Sequence, residues 1–135
     1  ETPDLDAELT RLAPEGINVY FENVGGAMLD AALNNMAVHG RIVLCGLIEQ
    51  YNTKGEASGP RNLSQVIRKR LTMQGLIVFE HWQHYGEFLA EVIPAFEAGA
   101  LQAEETIYQG LASMPQAFIG LFEGRNTGKM LVKLD

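Results

Sequence analysis

Two apolar segments on either side of a helix-like stretch constrain the fold of this chain more than any other feature. The first, Ile17–Glu22, is rich in β-forming side chains, and the second, residues 41–45, is almost continuously apolar. Runs of the second kind are typical of strands that are buried on both faces of a parallel sheet. Between them, residues 27–38 carry apolar side chains at helical spacing, and Gly40 is suited to close a helix. The order predicts a βαβ unit, whose crossover is expected to be right-handed.

The alternation of helices and strands continues along the rest of the chain. Helical spacing recurs over residues 4–12, 63–71, 85–98 and 115–123, and strand-like runs cover residues 72–79, 105–108 and 129–134. Such alternation predicts an α/β fold with a mainly parallel sheet. The three strong strands before residue 80 are half the number in a six-stranded dinucleotide-binding sheet.

Charge and cysteine content argue against several classes of partner. The 135 residues carry a net charge of −7, and the ten Lys and Arg side chains are scattered. Nucleic acid and anionic membranes attract a concentrated basic surface instead, so neither is expected as a partner. No apolar run reaches the roughly 18 to 20 residues of a membrane helix. Because Cys45 is the only cysteine, no intrachain disulfide can form, and we expect a protein of the reducing cytoplasm.

The sequence offers little that could hold a metal ion or a nucleoside triphosphate. His81 and His84 could share one helix face, but no second cluster has the spacing of a zinc site, so no metal is predicted. Residues 124–129 contain two glycines and a lysine, but the glycines are one residue too close. The segment also precedes a strand instead of a helix, so we expect no phosphate loop there.

The residues best suited to a site follow three predicted strand ends. In open parallel sheets, ligands bind beyond the carboxyl ends of the strands. The segments that follow these ends are residues 22–26, 45–48 and 79–81. Asn23 could bind a carboxamide or ribose, or it could cap the following helix. Cys45 could be a nucleophile, but no base lies nearby in sequence, and a buried structural thiol is the default. Tyr51, in the next loop, could stabilise a developing oxyanion or simply be an exposed loop tyrosine.

Several phrases, taken in order, resemble the medium-chain dehydrogenase/reductase superfamily, and most closely its zinc-independent prostaglandin, alkenal and double-bond reductases. The matching phrases are VYFENVGG at residues 19–26, GRIVLCG at 40–46, QYN at 50–52, GP at 59–60, MQG at 73–75 and GRNTGK at 124–129. The run over residues 23–52 and the ending at residues 126–129 make the set specific. The resemblance covers nearly the whole chain.

The resemblance implies a three-layer, Rossmann-type sheet and a division into domains. Residues 1–98 would form the C-terminal half of the cofactor-binding domain, and residues 99–135 a segment that returns to the catalytic domain. In this family a glycine-rich loop binds the cofactor pyrophosphate and a basic residue binds the 2′-phosphate. The chain has no counterpart of either feature. We therefore expect it to be the C-terminal portion of a longer enzyme and to be inactive alone.

The resemblance also implies roles for individual residues. Tyr51 would be the catalytic residue, placed near the nicotinamide ribose and the carbonyl group of the substrate. Five residues would bind the cofactor, some of them through their backbone: Asn23, Cys45, Gly46, Phe79 and Asn126.

The implied reaction is hydride transfer from NADPH to the β-carbon of an α,β-unsaturated ketone or aldehyde, without zinc. The alternatives are a quinone reductase of the same superfamily and a non-catalytic half-domain that serves as a binding or assembly module. A homodimer is also expected, because the strand at Ile17–Glu22 would have an unpaired edge. In this superfamily, moreover, the strand resembling residues 72–79 commonly pairs across a dimer.

Overall fold

The computed structural model describes residues 4–51, Gly55 and residues 58–134. Asn52, which belongs to one of the family phrases, lies outside the described residues. The chain divides into two compact units, Glu1–Glu80 and His81–Asp135. The domain boundary between residues 98 and 99, which the resemblance implies, stays a prediction.

The first unit alternates helices with strands. Its elements are α1 (Leu5–Leu12), β1 (Ile17–Glu22), α2 (Gly26–Asn35), β2 (Met36–Leu44), α3 (Ser64–Lys69) and β3 (Thr72–Gly75). The strands form one parallel sheet in the order β1-β2-β3. Their register aligns Phe21 with Val43 and Val43 with Gln74, so the carboxyl ends of all three strands lie at one edge. The predicted α/β fold class with a mainly parallel sheet is therefore confirmed.

The core of the first unit lies between α2 and the sheet. Leu29 and Leu33 of α2 pack with Met36 and Ile42 of β2 and with Leu71, which precedes β3. All five side chains are buried, and Leu33 and Ile42 are almost completely so. Burial of an aliphatic side chain of this size contributes about 1.5–3 kcal/mol to folding. This cluster fixes α2 against the sheet and thereby places the turn that connects β1 to α2.

The other face of β1 carries apolar side chains that remain exposed. Val19 and Phe21 are 65% and 54% exposed. They alternate with Tyr20 and Glu22, which point towards the core. Successive side chains of a strand point to opposite faces of the sheet. The first unit therefore presents an apolar surface along one edge strand of its sheet.

The junction of α2 and β2 differs from the prediction. The helix ends at Asn35, whereas helical spacing predicts an end near Val38. Met36 is already extended, with φ −63° and ψ 142°, yet only 3% exposed, so it continues the apolar period after the backbone has left the helix. Gly40 does not close the helix but lies inside β2, where a methyl group would come within 2.6 Å of Met36 Cε. The pairing with β1 is irregular here, and His39 has a φ of +66°.

The third strand is shorter than predicted. Apolar residues predict a strand over residues 72–79, but β3 ends at Gly75. The last hydrogen bond to β2 runs from Leu76 N–H to the carbonyl of Leu44 at 2.9 Å. Because β2 also ends at this point, its pairing with β3 stops, and Val78–His84 forms a 3-10 helix instead.

The second unit contains a smaller parallel pair of strands. Its elements are α4 (Tyr85–Glu97), β4 (Glu105–Gln109), α5 (Met114–Phe122) and β5 (Lys129–Lys133). The two strands pair in register from Glu105 with Lys129 to Gln109 with Lys133. The predicted helices and strands of this unit are confirmed, to within one residue at each end.

Candidate functional site

Backbone hydrogen bonds join the segments that follow β1 and β2. The carbonyl of Glu22 accepts from the N–H groups of Cys45 at 2.9 Å and of Gly46 at 3.1 Å. One residue later, the carbonyl of Asn23 accepts from Ile48 N–H at 3.0 Å. The two strand ends therefore lie side by side at the carboxyl edge, where open parallel sheets bind their ligands.

Gly46 is the point at which three of the predicted site residues meet. A methyl group on its Cα would lie 3.5 Å from the carbonyl oxygen and the Oδ1 of Asn23, and 3.5 Å from the hydroxyl oxygen of Tyr51. Both neighbouring side chains are exposed, Tyr51 to 70%. Because Gly46 has no side chain, the amide of Asn23 and the hydroxyl group of Tyr51 can both lie close to its backbone. The structure thus brings Asn23, Gly46 and Tyr51 together, and their roles remain predictions.

Cys45 lies on the surface at the start of the loop after β2. Its thiol is free and exposed, so the expectation of a buried structural thiol is wrong. The physical reason is the length of β2, which ends at Leu44 and leaves Cys45 outside the sheet. The cofactor-binding role of Cys45 remains a prediction.

The last two predicted cofactor residues belong to different units. Phe79 is 78% exposed and lies in the 3-10 helix Val78–His84, beyond the carboxyl end of β3. Asn126 belongs to the second unit, where its side-chain amide donates to the carbonyl of Gly128 at 2.7 Å. The proposed contacts of both residues with a cofactor also remain predictions.

A buried carboxylate that the sequence patterns did not single out lies beneath the carboxyl edge. Glu22 is 0% exposed, and its Oε1 accepts from the N–H groups of Val24 at 2.5 Å and Gly25 at 3.0 Å. The other oxygen, Oε2, is buried without a hydrogen-bond partner among the described residues. The available signal was a glutamate at the end of an apolar strand, directly before a turn with two glycines.

Tyr20 shares the inward face of β1 with Glu22. Burial, and then the negative charge of Glu22, raise the pKa of the Tyr20 hydroxyl to about 12. Tyr20 therefore stays a neutral phenol at physiological pH. Tyr20 and Glu22 are thus two polar residues beside the apolar core.

The turn into α2 depends on its two glycines. Gly25 is the N-cap residue of α2 and has φ +86° and ψ −158°, a conformation that L side chains rarely adopt. Because Gly25 occupies this position, the alternative role of Asn23 as the helix cap is wrong. A methyl group on Gly26 would overlap the carboxylate of Glu49, which lies against the amino end of the helix. The helix dipole favours a negative charge at that end.

The described residues contain neither a candidate metal site nor a candidate membrane-spanning helix. Within residues 4–51, 55 and 58–134, no group of three or more His, Cys, Asp or Glu side chains could hold a metal ion. None of the helices in these same residues has both the length and the apolar character needed to cross a membrane.

Known proteins are similar to this chain over most of its length. The family described as zinc-binding dehydrogenase matches residues 1–93. Over 132 residues, the chain is 48% identical to the NADP(+)-dependent 2-alkenal reductase of Nicotiana tabacum and 45% identical to the (+)-pulegone reductase of Mentha piperita. Each match covers 98% of this chain and 38% of the relative, so the chain spans about two fifths of the length of these proteins.

A solved structure supports the same relationship. The crystal structure of CurA in complex with NADPH, from Vibrio vulnificus, matches with a TM-score of 0.85 at 41% sequence identity. The match covers 100% of this chain and 42% of the CurA chain. The chain is therefore similar to CurA in both sequence and backbone structure over its whole length.

Proposed function

The chain belongs to the zinc-binding dehydrogenase family, within its alkenal and prostaglandin reductase branch, and on this premise we propose that it forms the C-terminal part of an NADPH-dependent reductase. The proposed reaction transfers a hydride to the C=C bond of an α,β-unsaturated ketone or aldehyde. The observation that carries the proposal is the meeting of Asn23, Gly46 and Tyr51 at the carboxyl edge of a parallel sheet. The names of the relatives, which include a 2-alkenal reductase, supply the substrate class.

The residues around Gly46 fit a nicotinamide cofactor. No side chain projects from Gly46, so a flat ring can approach the backbone closely. The Asn23 amide and the Tyr51 hydroxyl flank this gap and suit the carboxamide and ribose hydroxyl groups of the cofactor. NADPH, when bound, supplies the hydride. Cys45 and Phe79 are retained in the proposal as cofactor-binding residues, as is Asn126 of the second unit.

Tyr51 is the proposed catalytic residue. When the β-carbon of the substrate accepts a hydride, negative charge builds on the carbonyl oxygen. A hydroxyl group that donates to this oxygen stabilises the developing charge and lowers the barrier. Tyr51 is 70% exposed, so a substrate can reach its hydroxyl group.

The test is the Tyr51→Phe variant of the longest polypeptide that the gene encodes. Turnover is followed by NADPH absorbance with a 2-alkenal in the presence of a metal chelator. We expect kcat to fall about 100-fold, as is typical for the loss of one donor to a developing oxyanion. The KM for NADPH should change little. The wild type should tolerate the chelator, because the proposed reaction needs no zinc.

The matched control is Tyr85→Phe, which removes the same hydroxyl group from a partly exposed tyrosine in the second unit. This variant should retain the wild-type kcat. An unchanged kcat in Tyr51→Phe would remove Tyr51 from the mechanism. Loss of wild-type turnover with the chelator would contradict zinc independence.

Product analysis separates the proposed reaction from its alternatives. A saturated ketone or aldehyde as product supports C=C reduction. Conversion of quinones to hydroquinones without turnover of alkenals would identify a quinone reductase instead. The absence of turnover with both substrate classes would favour the non-catalytic binding or assembly module.

The proposal includes a homodimer and a cytoplasmic location. Among the described residues, no strand pairs with the outer edge of β1, and Val19 and Phe21 are exposed. Both features support self-association, because free strand edges and apolar surfaces recruit partners. The exposed thiol of Cys45 supports a reducing compartment, in which it would stay unoxidised. Recovery of the protein in another compartment after cell fractionation would contradict the location.

A further inference from the structure

We propose that Glu22 is a positioning residue of the candidate site, whose buried carboxylate holds the turn that presents Asn23 to Gly46 and Tyr51. The inference rests on the proposed function and deepens it, because it identifies what fixes the geometry of that site. Glu22 is fully buried and occupies the last inward-facing position of β1. It cannot touch substrate or cofactor, so its contribution acts through its neighbours.

The side chain of Glu22 binds the backbone of the turn from inside. Oε1 accepts from the N–H groups of both Val24 and Gly25, the two residues that follow Asn23. Gly25 has no side chain and a φ of +86°, so the turn has little local preference for this conformation without an acceptor. A charged acceptor makes such hydrogen bonds stronger than a neutral one does.

The main chain of Glu22 binds the second segment of the site. Its carbonyl accepts from the N–H groups of Cys45 and Gly46. One residue therefore holds the Asn23 turn with its carboxylate and the Gly46 loop with its carbonyl. Asn23 lies between Glu22 and Val24 in sequence, so both contacts hold the backbone on either side of it. Displacement of the carboxylate should therefore shift Asn23 relative to Gly46.

Three substitutions separate positioning from stability in the longest polypeptide that the gene encodes. Glu22→Met keeps the length of the side chain but removes the acceptor. Glu22→Gln keeps an acceptor oxygen for the two N–H groups. Leu71→Ala is the stability control, because it truncates a buried core residue at the amino end of β3, away from the carboxyl edge.

We expect Glu22→Met to lower kcat/KM for a 2-alkenal about 10- to 100-fold, as small misplacements of binding groups do. It should also speed hydrogen exchange in peptides that contain Val24 and Gly25. Glu22→Gln should restore most of the activity and the protection. Leu71→Ala should lower Tm while kcat/KM of the folded protein stays near the wild-type value. If Glu22→Met does not fold, Glu22→Asp replaces it, since the shorter side chain withdraws the acceptor by about 1.5 Å.

Two results would overturn the positioning role. One is a Glu22→Met or Glu22→Asp variant with wild-type kcat/KM and unchanged exchange at Val24 and Gly25. The other is a folded Glu22→Gln variant that is as impaired as Glu22→Met. Failure of the proposed function is distinguishable, because it would show in the wild type as absent alkenal turnover. The exchange measurement would still report whether Glu22 holds the turn.

Discussion

At the scale of single residues, Gly25 is a position where the backbone conformation should affect stability. Its φ is +86°, and a methyl group there would lie 3.2 Å from Leu47 Cδ2. We expect Gly25→Ala to lower the free energy of unfolding by about 1–3 kcal/mol, the usual cost of a residue forced into such a conformation. Urea unfolding measures the difference. Gly59→Ala is the control, because its methyl group would meet no atom of the described residues within 4 Å. Equal losses in both variants would contradict the explanation.

Some residues of the candidate site could be identified from the sequence, and others could not. Asn23 and Gly46 could be predicted to lie together, because each follows a strand end and parallel strands end at one edge. Glu22 could not be identified, because a glutamate at the end of an apolar strand looks the same whether it faces solvent or core. Its burial depends on which face of the sheet α2 covers. The exposure of Cys45 was missed for a similar reason, since it depends on where β2 stops pairing.

At the scale of elements, one buried side chain ties α1 to α2. Asn35 is 9% exposed; its Nδ2 donates to Asp6 Oδ1 at 2.5 Å, and its Oδ1 accepts from Thr10 Oγ1 at 2.7 Å. We expect Asn35→Ala to lower the free energy of unfolding by about 1–3 kcal/mol, because it removes the acceptor of Thr10 Oγ1 and the donor to Asp6 Oδ1 at a partly buried contact. Asn34→Ala is the neighbouring control. Asn34 also donates to Asp6, but it is exposed and water can replace it. A larger loss in the control, measured by urea unfolding, would overturn this assignment.

The types of the elements were easier to predict than their ends. Met36 satisfies the apolar period of α2 and also faces the core from β2, so spacing alone cannot place the boundary between them. Residues 76–79 are apolar enough for a strand, but a strand needs a neighbour, and β2 ends at Leu44. The sequence does not state where a partner strand stops, because that depends on long-range pairing.

At the scale of the whole molecule, local patterns determine the fold class but not which surfaces are covered. Alternation of helices and strands was sufficient to predict a parallel α/β sheet, because short crossovers leave few other arrangements. The exposed face of β1 could not be predicted, since an apolar strand is typical of burial on both faces. Val19 and Phe21 nevertheless remain exposed among the described residues of the first unit.

That open surface predicts self-association of the 135-residue chain. β1 lies at one end of the strand order, and Val19 on its uncovered face is 65% exposed. Val19→Lys places a charge on this edge strand, and charged side chains there oppose pairing with another chain. We expect analytical ultracentrifugation to show that wild type forms dimers or larger species and that Val19→Lys shifts the distribution towards monomer. Leu12→Lys is the matched control, because Leu12 is 62% exposed, gains the same charge and lies on α1. If wild type is monomeric at every concentration, or if both variants dissociate equally, the β1 surface does not drive association.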